Sequence, residues 1–342
     1  MRQRDTRAPA MRRRRALVRA LAAGLTAPLA AAAQAWPAVH DRPLPMRPLP
    51  IRLLLAYPPG GVSDEMARLL ADGLAGRLHT PVRVEHRPGA GGVAAMEALA
   101  RATPDGHTLC YCAISPLVIA PWLGRPAYDA TRDFQPVATV MHTPVLVLAT
   151  RAAPFADLHG ALALARREPG RLRWASSGLA TVGHLVMEQV AAGAGVHITH
   201  VPYKGGGQQL TDALGGQFEL LSSNVAAQQL RYLAEGRLGA IAVGAPGRLP
   251  VLPDVPTLAE LGHPDANLVS TFAIFAPAGL AAERLQRLNQ AINETLAEAA
   301  LHGRIVASNN LPGGGPAEAL ARQIETERER HRVPLLRLRD GR

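Results

Sequence analysis

The sequence predicts an α/β protein of two lobes with a ligand cleft between them. Three observations carry that expectation. Short aliphatic strands alternate with helically spaced apolar residues from residue 51 onward; the alternation pauses near Met141 to Pro144 and then restarts; and glycine- or serine-rich loops recur at strand-to-helix junctions. Strand and helix in regular alternation build a mostly parallel sheet covered by helices. Ligands of open α/β sheets bind where the carboxyl ends of strands meet.

In chain order, "IRLLLAY" from residue 51 is a short strand, and Met66, Leu69, Leu70, Leu74 and Leu78 then recur at helical spacing. "PVRVEH" is a strand, "VAAMEALARA" a helix and "HTLCYCAI" a strand again. "PVATV" and "PVLVLAT" read as two strands in quick succession, where the chain leaves one sheet for another. The second series runs through a helix near 155–168, "LRWASSG", a helix from about Thr181 and a strand near "HITHVPY". A helix from about Gly206, "QFELLSS", a helix through Tyr232 and "LGAIAVG" complete it. "LVSTFAIFAP" then crosses back, and two long helical segments finish the chain. The expected division is residues 44–142 with 268–342 in lobe 1 and 143–267 in lobe 2.

Composition removes several classes of function. The formal charge is +10, but residues 1–35 hold eight arginines and one aspartate, so about +3 remains on the rest. That is too little for a surface that tracks phosphates, and 4% aromatics offer few platforms for bases, so no nucleic-acid partner is expected. "MRRRRALVR" followed by "ALAAGLTAPLAAAAQA" has the anatomy of a secretory signal peptide, with cleavage after Ala35. The mature chain is expected to be a soluble periplasmic protein. Cys110 and Cys112, two apart on a strand, read as small buried hydrophobes, because neighbours at that spacing close a disulfide poorly.

Four loops carry candidate chemistry. In "PPGGVSDE", Pro59, Gly60 and Gly61 precede a helix start whose free N–H groups suit an anion, or whose own Ser63 or Asp64 caps it. In "ASSGLATVGHL", Ser176, Ser177 and Thr181 offer hydroxyls. "VPYKGGGQQ" brings Tyr203 and Lys204, the only lysine in the chain, before three glycines. "LLSSNVAAQ" supplies Ser222, Ser223 and Asn224, as helix caps or cleft residues. "GAGGVA", residues 89–94, matches a dinucleotide fingerprint in spelling, but it follows the second strand rather than the first. No nucleophile elbow or phosphate-binding loop motif is present.

Taken together, "YPPGGVSDEMARLLA", "VEHRPGAGGVAAMEALARATPDGHTL", "YDATRDFQPVA", "SSGLATVGHL", "VPYKGGGQQLTDALGGQFEL", "GRLGAIAVGAPGRLPVLPDVPTLAELG" and "FAPAGLAAERLQRLN" resemble, in order, the Bug receptors. These are the periplasmic solute-binding proteins of tripartite tricarboxylate transporters. The resemblance runs from about residue 45 to the end of the chain. It implies a type II periplasmic-binding-protein fold, a small carboxylic acid as ligand, no cofactor, no metal and no catalysis, with a monomer docking on a membrane permease. It also implies that Pro59, Gly60, Gly61 and Asp64 in the first loop, and Ser177, Thr181 and His184 in the second, hold one carboxylate. Asp64 cannot pair with an anion and would fix the loop or hold a water. Tyr203, Lys204 and Gly205 would line the opposite wall, with Asn224 and Ser115 beside them.

Two departures stand out. Ala180 occupies a glycine position of the family pattern, and His86 stands where asparagine is common. If position 180 needs a positive φ, alanine there carries a steric penalty. The alternatives are a periplasmic sensor using the same cleft, and a secreted enzyme using "GAGGVA" for a dinucleotide.

Overall fold

The computed structural model describes residues 49–124 and 126–340. The segment read as a signal peptide and the first residues of the expected lobe 1 lie outside them. Strands β1 (Ile51–Leu55), β2 (Val82–His86) and β3 (Thr108–Ala113) pair in parallel in the order β2-β1-β3. Every residue of β3 is buried, as befits a strand covered on both faces. Helix α1 (Val62–Leu78) lies between β1 and β2, and it buries Met66, Ala67, Leu70, Ala71, Leu74 and Leu78 along one stripe. Helix α2 (Val93–Ala100) leads into β3, and the short helices α3 (Ser115–Val118) and α4 (Ala120–Leu123) follow it.

Strand β4 (Phe134–Ala149) is one continuous strand of 16 residues where the sequence suggested two. Pro144 does not break it, because its carbonyl still accepts from Val225 N–H, and the strand changes partners there instead. Up to Pro144 it pairs antiparallel with β9 (Val269–Pro277), which in turn pairs with β3. From Val145 onward it pairs with β7 (Leu220–Asn224) and β8 (Gly239–Gly244). One strand therefore belongs to two sheets.

The second sheet adds β5 (Arg173–Ser176) beside β7 and β6 (Thr199–Pro202) at its edge, both parallel. Its helices are α5 (Leu158–Arg167), α6 (Val182–Ala194), α7 (Gly206–Gly215) and α8 (Ala227–Ala234). The chain returns through β9 to the first sheet. Helices α9 (Ala282–Leu296) and α10 (Ala299–Ala307), strand β10 (Leu311–Pro312) against β4 and the long α11 (Ala317–Asp340) complete it. Cys110 and Cys112 are both buried and free. Among the described residues no helix is long and apolar enough to cross a membrane, and no cluster of side chains could hold a metal ion.

Candidate functional site

A cleft of about 320 Å³ opens where the two sheets meet. The loop after β1 lines it with Pro59, Gly60, Gly61 and Ser63, and the loop after β5 lines it with Ser177 and Thr181. Lys204 to Gly207 enter from the loop after β6, and Asn224 to Ala226 from the end of β7. Ser115, Thr143 and Ser270 add hydroxyls, while Tyr57, Met141, Val145 and Phe272 give it an apolar part. Tyr57 and Phe272 pack with ring centroids 5.5 Å apart. Among these lining residues Lys204 is the only charged side chain.

The first turns of α1, α6, α7 and α8 all contribute lining residues. A helix start presents unpaired N–H groups and the positive end of its dipole. Only α6 among these four has a side-chain cap: Thr181 Oγ1 accepts from His184 N–H at 3.3 Å and donates to the Gly178 carbonyl at 2.8 Å. At α1 the N-cap is Gly61, without a side chain to offer. Neither Ser63 nor Asp64 caps the helix, against that expectation. Asp64 fixes the loop instead, through Gly60 N–H, which donates to Asp64 Oδ2 at 3.0 Å, and so leaves the helix start open.

Asp64 is 6% exposed and is not among the residues lining the cleft. Its Oδ1 is held by His86 Nε2 at 2.8 Å and by Arg68 at 3.2 Å. Burial alone would raise its pKa; the Gly60 N–H, His86 and Arg68 outweigh that and hold it below the usual carboxylate value. His86, a departure from the family pattern, thus has a place in the structure: it anchors the first loop.

Nine of the twelve nominated residues line the cleft: Pro59, Gly60, Gly61, Ser115, Ser177, Thr181, Lys204, Gly205 and Asn224. Three do not. Asp64 is a loop anchor. His184 has no exposed surface and sits behind the second loop, with its Nδ1 accepting from Ala180 N–H at 3.3 Å, its Nε2 3.1 Å from Glu188 and its ring stacked on His200 at 4.1 Å. Tyr203 turns into the core of the second sheet, where its hydroxyl donates to Asp212 at 2.8 Å and its ring meets Phe218 edge-on. Its place beside Lys204 in sequence puts it on the other side of the chain.

The main omission of sequence reasoning is the wall formed by Gly89 to Gly92. Of its residues, Gly91 supplies close backbone approach to the second loop. Gly91 has φ +65°, and a Cβ there would stand 3.0 Å from the Leu179 carbonyl oxygen. Ala180 has φ +57°, so alanine does occupy a left-handed position in this chain.

Comparison with known proteins decides the family. The profile of the Tripartite tricarboxylate transporter family receptor matches residues 66–333. The chain belongs to this family. It is 34% identical to BugT of Bordetella pertussis over 266 residues, covering 77% of this chain and 81% of that protein. A solved periplasmic transporter is 33% identical with a TM-score of 0.75, covering 83% of this chain and 95% of that one. MatC from Rhodopseudomonas palustris, solved with bound malate, is 29% identical with a TM-score of 0.77, covering 84% of this chain and 98% of that one. The family and these neighbours are solute-binding receptors of the periplasmic type, so the enzyme alternative falls.

Proposed function

We propose that this chain is an extracytoplasmic receptor that closes on a small carboxylic acid and delivers it to the permease of a tripartite tricarboxylate transporter. The single observation that carries this reading is electrostatic: four helix starts and Lys204 face a cleft that no acidic side chain lines. Each helix start contributes roughly 0.3–2 kcal/mol toward an anion. Charge-assisted hydrogen bonds contribute about 1.5–3 kcal/mol each. A sum near 8 kcal/mol corresponds to roughly micromolar affinity. The ligand carboxylate bridges the first and second loops, and only the closed arrangement of lobe 1 (44–142 with 268–342) and lobe 2 (143–267) brings both to it. Residues 1–35 export the chain, and the mature monomer docks on the membrane partner when closed.

Thermal unfolding of the chain from Trp36 onward, against a panel of carboxylic acids with NAD and NADP as controls, tests this. An acid at 100 times its dissociation constant stabilises the fold by about 2.7 kcal/mol. A rise in midpoint with an acid supports the reading. A rise with the nucleotides alone overturns it.

A further inference from the structure

The second loop is tied at both ends to a pair of stacked histidines. At its far end Ala180 lies in the left-handed region, φ +57°, where a residue with a Cβ is strained unless its surroundings hold it. The hold is visible: Ala180 N–H donates to His184 Nδ1 at 3.3 Å. The backbone N–H of the same histidine donates to Thr181 Oγ1 at 3.3 Å. Thr181 is the N-cap of α6 and His184 its third helical residue. The two form a capping box in which an imidazole replaces the usual Glu or Gln and reaches one residue further back. At the near end Ser176 Oγ lies 2.7 Å from His200 Nε2 and donates to the Gly178 carbonyl at 2.9 Å. The His184 and His200 rings stack with centroids 4.1 Å apart and planes inclined by 15°.

These partners set the state of the ring. An amide N–H only donates, so His184 Nδ1 carries no proton. The ring is neutral, with its hydrogen on Nε2, 3.1 Å from Glu188 Oε1. His184 has no exposed surface, whereas Ser177, Thr181, Val182 and Gly183 of the segment it holds line the cleft. Removing the acceptor would leave the Ala180 N–H unpaired and release a strained residue in the middle of that segment.

We propose that His184 is a positioning residue for ligand binding: it touches no ligand and acts through Ala180, fixing the second loop so that Ser177 and the first turn of α6 meet the anion. This rests on the receptor reading above and names what preorganises its second loop. The test is isothermal titration of the wild type, His184→Asn and His184→Gln with succinate, citrate, glutamate and benzoate, alongside thermal unfolding of each protein without ligand. Asparagine carries its amide oxygen where the imidazole has Nδ1, and so keeps the bond to Ala180. Glutamine places its amide where the imidazole has Nε2, and keeps only the contact with Glu188. An acid that binds the wild type is expected to bind His184→Asn nearly as well and His184→Gln about tenfold more weakly, even if the two variants melt at the same temperature. Equal affinity of the two variants overturns this inference and leaves the receptor reading standing. Binding of none of these acids to the wild type overturns both. One measurement needs the wild type alone: nitrogen-15 NMR of its imidazoles should show His184 Nδ1 unprotonated at neutral pH, and a proton there overturns the inference.

Discussion

Thr181 lines the cleft, yet its hydroxyl is already committed at both ends, accepting from His184 N–H and donating to Gly178. Its larger contribution is therefore to stability as an N-cap. Thr181→Ala should cost about 1 kcal/mol, with Thr181→Ser restoring most of it, as read by urea unfolding. Asp64 gives a second residue-scale expectation, in pH. Its folded pKa lies below the ordinary carboxylate value near 4. A depressed carboxylate contributes stability that is present above its unfolded pKa and is lost as pH falls through the folded one. Unfolding midpoints measured from pH 6 down to pH 3 should fall on the acid side, and the fall should be shallower in Asp64→Asn. An identical slope in both would remove Asp64 as an anchor of the first loop.

At the scale of elements, the two loops after β2 and β5 depend on backbone conformation more than on side chains. Ala180 sits at φ +57°, a region that costs a non-glycine residue about 1–2 kcal/mol. Glycine would relieve that and lose roughly 0.4–1 kcal/mol to a more flexible unfolded chain. Ala180→Gly should therefore stabilise the protein by about 0.5–1 kcal/mol, seen as a higher melting temperature. Gly91 is the opposite case. Its φ of +65° already disfavours alanine, and the added Cβ would press on the Leu179 carbonyl and on Thr181 Cγ2, 3.1 Å away. Gly91→Ala should push the two loops apart and weaken ligand binding, although residue 91 offers no side chain to any ligand. Unchanged affinity in calorimetry would show that the loops need not touch.

For the molecule as a whole, the partner change of β4 is the feature that makes a cleft. Phe134 to Pro144 lie against β9, Val145 to Ala149 against β7 and β8, and the lining residues Met141, Thr143 and Val145 straddle the change. A strand shared by two sheets ties them together while letting their helix starts face one another. The basic charge of the chain has little part in this. Most of it lies in residues 1–35, and Lys204 is the only charged side chain among the residues lining the cleft.

The alternation of strands and helices, the return crossing at "LVSTFAIFAP" and the four glycine- or serine-rich loops were legible in the sequence, because hydrophobic period and turn chemistry are local properties. So was the expectation that alanine at position 180 would be strained if its φ were positive. The continuity of β4 through Pro144 was not, since a proline's tolerance in a strand depends on which neighbour needs its N–H. The sides taken by Tyr203 and His184 were not legible either. Asp212 and Phe218 draw the one inward, and Ala180, Glu188 and His200 enclose the other. Sequence by itself determined four candidate loops that reach the cleft; tertiary structure decided which of their residues line it and added the Gly89 to Gly92 wall, because that depends on partners far away in the chain.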